Sequence, residues 1–233
     1  MIRSQSGARP ALPILALLIL VMIAAACAPA TAPTGQTGTP EPAGQTVAPA
    51  TVPAAAAPAG GAPAAAPAVD PADLPVGVDA EGNFYRGNPD AAVKLVEFSE
   101  FECPYCARHV SETEPQLRDT YIATGEVVHT FRHFPLDFHA NAMPAAMATY
   151  CAGQQDPKLF WELHDWLFEN QAAWTGATDG AAQFRTQAVA LGAVEAEYDL
   201  CVADPASLAR IEQDLQEGMT RGVQGTPAFF INE

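Results

Sequence analysis

The sequence predicts an α/β fold built on a strand–helix–strand unit, and three consecutive stretches carry this prediction. VKLVEFSEF, at 93–101, has the branched and aromatic composition of a buried strand. ARHVSETEPQLRDTYIATGE, at 107–126, has helical character, and EVVHTFRHF, at 126–134, is typical of a second strand. A strand, a helix and a strand in this order indicate a parallel pair joined by a right-handed crossover.

Turn and capping residues divide the rest of the folded part into elements. Phe84 to Arg86 is predicted as a short edge strand before the turn at Gly87, and Pro115 is expected to kink or break the first helix. Asp-Pro pairs at 156–157 and 204–205 are typical helix starts, with Asp as the cap and Pro at the first position. The elements predicted after 134 are helices at 141–153, from 156, at 178–191, at 195–203 and from 204 to about 221, followed by a strand at 228–231.

The N-terminal third is not expected to belong to the fold. Residues 1–26 carry two arginines and then a short apolar run closed by small residues, which is the pattern of a secretory signal. The run ends in Ala-Ala-Ala-Cys27, which is similar to the box of bacterial lipoproteins, so Cys27 is a candidate for lipidation. The alternatives are an uncleaved anchor helix and ordinary cleavage nearby. Residues 27–75 are rich in Pro and Ala and are predicted to be a disordered tether.

Residues 76–233 are long enough to form one domain with its own core. The formal net charge of the whole chain is −16. This acidic balance argues against nucleic acid and against anionic membrane surfaces as partners.

The chemistry of the sequence centres on CPYC at 103–106. Spacing alone leaves a structural clip, a metal site and a redox centre open. A dithiol exchanger needs one thiolate at neutral pH, and the positive end of a helix supplies one. Cys103 stands where the helix should begin and is predicted to be the exposed nucleophile with a low pKa. Cys106, one turn further on, is predicted to be the buried resolving thiol, and Pro104 suits the first helical turn.

Four segments in order give the folded part a family resemblance. They are VEFSEFECPYC, FRHFPLDFHANA, FWELHDWLFENQ and GVQGTPAFFIN. Together they resemble the DsbA-like branch of the thioredoxin superfamily over about 83–232. The resemblance implies a thioredoxin-like fold with an inserted helical subdomain, at about 140–222. It also implies a protein thiol-disulfide oxidoreductase that needs no cofactor.

The resemblance also assigns roles around the dithiol. Thr226 and Pro227 match the family's cis-proline segment, whose backbone pairs with an extended substrate. Tyr105, with Pro104, is expected at the substrate-facing rim. The most oxidising relatives have histidine at the position of Tyr105, so a milder oxidant is expected here. Glu97 matches a buried acid that, with a raised pKa, would accept the proton of Cys106; the alternative is a strand glutamate that reaches solvent.

Two further cysteines and the histidines complete the inventory of candidate site residues. Many relatives carry cysteines at the positions of Cys151 and Cys201, which are expected to form a structural disulfide; two buried free thiols are the alternative. The histidines at 109, 129, 133 and 139 lack a clear zinc spacing, so no metal is predicted.

The sequence departs from the family pattern at its end, because thioredoxin folds continue with one more strand and a final helix after the proline segment. The chain is therefore expected to be a fragment of a longer gene product, with the strand at 228–231 left as an exposed edge. The alternative is that a partner covers this edge.

The predicted function is an extracytoplasmic enzyme that forms disulfides in reduced or unfolded exported proteins. The chain is expected to act as a monomer held at the outer face of the cytoplasmic membrane, and the family resemblance implies a quinone-linked membrane oxidase as redox partner. A reductase or isomerase of the same fold remains open. So does a surface lipoprotein that binds a partner and carries CPYC only as an inert clip.

Overall fold

A five-stranded mixed sheet forms the centre of the computed structural model, which describes residues 69–70 and 73–232. The strand order is β1-β2-β4-β3-β5. β3 and β4 are parallel, as predicted, and the other neighbouring strands are antiparallel. The strands are β1 Val76–Val78, β2 Phe84–Gly87, β3 Val93–Ser99, β4 Val127–His133 and β5 Ala228–Ile231.

The helices fall where the Pro and Gly signals place them. A helical segment crosses from β3 to β4 and is broken near Pro115 into two α-helices and a π-helical turn at Arg118–Ile122. Asp156 and Asp204 cap their helices by accepting the backbone N–H of Lys158 and Ala206. The helices are α1 Pro104–Glu112, α2 Glu114–Leu117, α3 Ala142–Gly153, α4 Pro157–Glu169, α5 Gln171–Trp174, α6 Gly180–Leu191, α7 Glu195–Ala203 and α8 Pro205–Thr220.

Phe84 to Arg86 form a strand, as predicted, but the prediction that this strand lies at the edge of the sheet is wrong. β1 pairs outside β2, with Val76 opposite Arg86, so β2 is an inner strand that also pairs with β4. β1 has only three residues, Val-Gly-Val, which is too short to give a recognisable alternation.

One aromatic core joins the sheet to the helices between β4 and β5. Each fully buried phenylalanine side chain contributes about 1.5–3 kcal/mol through the apolar surface it removes from water. Trp161 and Trp174 are buried in this core. Its largest members are Phe84, Phe101, Phe131, Phe160, Leu163, Leu167, Trp174 and Phe184.

The other face of the sheet carries a smaller cluster under α8. Phe98, Phe134 and Val223 form its buried centre. Gly218 allows this approach, because a Cβ at that position would lie 2.6 Å from the ring of Phe134. α8 is therefore held against β3 and β4 on the side opposite the large core.

The predictions made for residues 1–26, for Cys27 and for nearly all of the tether at 27–75 lie outside the described residues. Within the part of the chain that the structure describes, no helix is both long enough and apolar enough to span a membrane.

Candidate active site

The dithiol lies where the loop after β3 enters α1. Cys103 is the N-cap residue with extended backbone angles, and Pro104 occupies the first helical position. Because proline has no N–H and its φ suits a helix start, the first turn forms at this point without losing a hydrogen bond. Cys103 and Cys106 are both free thiols, so the structure represents the reduced form.

The pKa of Cys103 is lowered to about 5, as the helix start predicts in direction. The largest cause is a hydrogen bond from the Cys106 thiol to the Cys103 sulfur, and burial opposes it. Thr226 and the backbone N–H groups of Cys106 and Tyr105 favour the thiolate further. Those two N–H groups belong to the first turn of α1, where backbone donors have no partner within the helix.

Cys106 has the opposite character. Burial raises the pKa of its thiol far above the usual range, and the neighbouring Cys103 sulfur raises it further. The backbone N–H of Glu100 and the hydroxyl of Ser99 lie against its sulfur and only partly offset this effect. At neutral pH one thiol of the pair is therefore ionised and the other protonated.

The prediction that Cys103 is exposed is wrong. The residue is only 3% exposed, because it joins the large aromatic core and its thiol meets the Thr226 carbonyl at 3.4 Å. The side-chain amide of Gln171 also donates to the carbonyls of Phe101 and Cys103, which fixes the loop from the helical side.

The bond between Thr226 and Pro227 is cis, as predicted. Both residues line a groove of about 340 Å³ beside α1, together with Tyr105 and His109. Tyr105 is 61% exposed, and the guanidinium of Arg108 lies 5.1 Å from its ring centre. The groove therefore places backbone and aromatic surface next to the dithiol.

The prediction of a raised pKa for Glu97 is wrong, although its burial was predicted correctly. Burial alone would raise the pKa of Glu97, but the His129 hydrogen bond at 2.8 Å and the charges of nearby histidines lower it to about 2. Arg86 donates to the Nδ1 atom of His129, so the other ring nitrogen carries the proton that faces Glu97. Glu97 is thus an ionised carboxylate at neutral pH.

The acid with a raised pKa is Glu100, which sequence reasoning missed. Burial raises its pKa to about 7, and the negative charge of Cys103 contributes in the same direction. Its carboxyl group contacts the Nδ1 atom of His139. The position of Glu100 three residues before Cys103 is visible in the sequence, but its 1% exposure and its histidine partner are not.

Three of the histidines lie beside buried acids. His129 bonds Glu97, His139 bonds Glu100, and His109 lies 3.9 Å from Glu97. Among residues 69–70 and 73–232, no group of three or more His, Cys, Asp or Glu side chains is arranged to hold a metal ion. Cys151 in α3 and Cys201 in α7 are joined by a disulfide across the helical layer.

Comparison with known proteins places this geometry in a family. The thioredoxin family model Thioredoxin_4 matches residues 79–233. Among solved structures, alpha-DsbA1 of Wolbachia pipientis is 22% identical, with a TM-score of 0.59 over 66% of this chain and 76% of that one. BdbD of Bacillus subtilis is 24% identical, with a TM-score of 0.55 over 64% of this chain and 80% of that one. Both solved structures share the fold of this chain. The chain belongs to the thioredoxin family.

Curated relatives match only along part of their own length. The Na(+)/H(+) antiporter NhaA 3 of Salinispora tropica is 34% identical over 166 residues, which are 69% of this chain and 23% of that protein. NhaA 1 of Mycolicibacterium gilvum is 32% identical over 161 residues, or 66% of this chain and 24% of that protein. This chain thus spans about a quarter of the length of these relatives, and antiport is a property of theirs.

Proposed function

We propose that this chain is an extracytoplasmic oxidoreductase that forms disulfides in exported proteins through Cys103 and Cys106. The observation that carries the proposal is the opposite displacement of the two thiol pKa values, to about 5 for Cys103 and upward for Cys106. A stable Cys103 thiolate stabilises the reduced form. A stabilised reduced form makes the corresponding disulfide a stronger oxidant.

The first step is attack by a substrate thiolate on the Cys103 sulfur of the oxidised protein. A bond forms between the substrate sulfur and Cys103 while the Cys103–Cys106 bond breaks. The electron pair leaves on the Cys106 sulfur, which then takes a proton because burial strongly raises its pKa.

The second step releases the oxidised substrate. A second substrate thiolate attacks the substrate sulfur of the mixed disulfide, and Cys103 leaves with the electron pair as a thiolate. The substrate has lost two electrons and the dithiol has gained them. The low pKa of Cys103 favours this step, because a thiolate of low pKa leaves faster.

Substrate recognition is assigned to the groove along Thr226 and Pro227. An extended segment would add to the backbone there, as in other strand-addition complexes. Tyr105 gives the rim an exposed aromatic surface suited to unfolded chains, which expose apolar side chains. The proposed substrates are therefore reduced, unfolded exported proteins.

The location, assembly and redox partner belong to the same proposal. The secretory pattern at 1–26 and Cys27 favour a site outside the cytoplasm with a lipid or helical anchor. A monomer is proposed, and a quinone-linked membrane oxidase would return Cys103 and Cys106 to the disulfide.

The decisive experiment is the redox equilibrium of the full chain in glutathione buffers at pH 7. The alkylation state of the tryptic peptide at 95–108 reports Cys103 and Cys106 separately from the other cysteines. A reduction potential above about −180 mV supports a disulfide donor. A value near about −270 mV would identify a reductase and overturn the proposed direction.

An isomerase is the second candidate, because one similar structure bears that title. It is a protein-disulfide isomerase of Novosphingobium aromaticivorans, 26% identical, with a TM-score of 0.55 over 64% of this chain and 85% of that one. Recovery of activity from scrambled ribonuclease separates the roles, because a pure donor accelerates oxidation of the reduced protein much more than repair of the scrambled one.

A non-catalytic binding module is tested by two serine variants. Cys103→Ser is expected to abolish exchange with a reduced substrate. Offered a substrate that already contains a disulfide, Cys106→Ser is expected to accumulate a mixed disulfide, because the Cys103 thiolate attacks that disulfide and no Cys106 thiol is left to release the substrate. If Cys103→Ser bound its partners and worked as well as the wild type, the dithiol would be an inert clip and the enzyme assignment would fail.

A further inference from the structure

Glu100 and His139 form a buried acid–histidine pair beside the dithiol. Glu100 lies on the loop between β3 and α1, and its side chain is 1% exposed. One carboxyl oxygen contacts the Nδ1 atom of His139, and the other accepts the backbone N–H of Glu102 at 2.7 Å. Because both oxygens have partners, the carboxyl group is fixed in place.

The pair lies close to the dithiol and extends to the surface. The backbone N–H of Glu100 lies against the Cys106 sulfur, and the negative charge of Cys103 acts on the Glu100 carboxyl group. The side chain of His139 is 21% exposed. His139 therefore stands between the buried carboxyl group and solvent.

We propose that Glu100 and His139 act as one proton-holding pair, which takes up a proton when the Cys103–Cys106 disulfide is reduced. The inference rests on the proposed function, since it concerns the protons of that exchange. It gives Glu100 the role of a positioning residue, because it acts on the reacting sulfurs through its charge.

The exchange of two electrons leaves one proton that neither cysteine takes up. A substrate dithiol that becomes a disulfide gives up two electrons and two protons. Both electrons go to the dithiol of this chain, and Cys106 takes one proton while Cys103 remains a thiolate. The second proton goes to solvent or to a nearby base. The new negative charge on Cys103 draws that proton to the Glu100–His139 pair.

Few other titratable groups act on Glu100. They are His139 in the loop before α3 and Cys103, the N-cap residue of α1, while Glu102 acts on Glu100 through its backbone N–H. The Glu102 carboxylate is engaged elsewhere, because it accepts the backbone N–H groups of Asn141 and Gly176. Glu100 is thus the group whose proton affinity follows the state of Cys103.

The pH dependence of the glutathione equilibrium tests the inference. Reduction by glutathione consumes two thiols, which give up two protons. If Cys106 alone takes up a proton, the other proton is released to solvent. The equilibrium constant for reduction then rises tenfold per pH unit. In the wild type we expect a smaller rise near pH 7, about fivefold or less per unit, because the pair retains part of the second proton. Glu100→Gln should restore the tenfold rise across pH 6–8.

Two further variants separate charge from structure. Glu102→Gln is the matched control, since it removes a buried carboxylate from the same loop. Its equilibrium constant for reduction should rise with pH as slowly as that of the wild type. His139→Gln keeps a polar partner for Glu100 but cannot be charged. Because His139 lowers the pKa of Glu100, this variant should move the pH range in which the equilibrium constant rises slowly to higher pH.

If the equilibrium constant of Glu100→Gln rises with pH as slowly as that of the wild type, the inference is overturned. If that variant folds poorly, the wild-type chain supplies the answer through carbon-13 NMR titration of the Glu100 carboxyl group. The pKa of Glu100 should be higher in the reduced form than in the disulfide form, and equal values would overturn the proposal. Normal exchange with no such difference defeats this inference alone, whereas a dithiol that exchanges with nothing defeats the proposed function as well.

Discussion

Glu97 and Glu100 are the same residue type three positions apart, and their surroundings move their pKa values in opposite directions. Both are buried, which by itself raises a carboxyl pKa. Glu97 accepts a hydrogen bond from the Nε2–H of His129, whose tautomer is fixed by Arg86, and its pKa falls to about 2. Glu100 has weaker compensation and faces the Cys103 thiolate, so its pKa rises to about 7.

The low pKa of Glu97 predicts a loss of stability in acid. A carboxyl group whose pKa is depressed in the folded state stabilises the fold above its unfolded pKa and ceases to do so as the pH falls through its folded pKa. For Glu97 this window runs from the ordinary pKa of 4.5 down to about 2. Between pH 5 and pH 2, the free energy of unfolding of Glu97→Gln should therefore fall by about 3 kcal/mol less than that of the wild type.

Urea unfolding at several pH values measures this difference. Glu112→Gln is the control, since it removes an exposed carboxylate from α1 and should follow the wild type. A Glu97→Gln variant whose stability falls as steeply in acid as that of the wild type would show that Glu97 does not carry the effect.

At the scale of elements, the first turn of α1 sets the reactivity of Cys103. Tyr105 lies in this turn and is largely exposed. Tyr105→His would place a partial positive charge near the thiolate and lower the pKa of Cys103 by up to about one unit, since an exposed charge is strongly screened.

Thiolate absorbance at 240 nm against pH measures the Cys103 pKa, and the glutathione equilibrium should shift toward the reduced form in parallel. Tyr105→Phe is the control, because it keeps the ring and adds no charge. A Tyr105→His variant with the wild-type pKa and equilibrium would contradict the electrostatic explanation.

The disulfide between α3 and α7 closes a loop of 50 residues within the helical layer. Constraining a loop of this length in the unfolded chain contributes about 4 kcal/mol in the chain-entropy model. Cys151→Ala with Cys201→Ala should lower the free energy of unfolding by roughly 2–4 kcal/mol, measured in urea. Thiol exchange at Cys103 should survive below the new unfolding midpoint. A loss under about 0.5 kcal/mol would contradict the proposed structural role.

At the scale of the whole molecule, the sequence predicted what local patterns can encode. Asp-Pro caps, the break at Pro115 and the apolar runs of β3 and β4 are short-range signals, and the structure follows them. The burial of Cys103 and the pairing of Glu100 with His139 depend on segments far apart in the chain. Such contacts are set by tertiary packing, which no local pattern contains.

The last strand of the sheet gives a prediction about the behaviour of the whole molecule. Among the described residues β5 pairs only with β3, and Ile231 on it is 60% exposed. An edge strand with exposed apolar side chains is a template for pairing with another chain. Ile231→Lys should therefore slow aggregation on heating, measured by light scattering, by roughly severalfold.

The substitution should leave the chemistry alone, since Ile231 pairs with Leu95 at the far end of β3 from the dithiol. Glutathione exchange at Cys103 is the check on that point. Leu200→Lys is the matched control, because Leu200 is also exposed but lies on α7. Equal protection by both variants would mean that added charge, and not the β5 edge, governs aggregation.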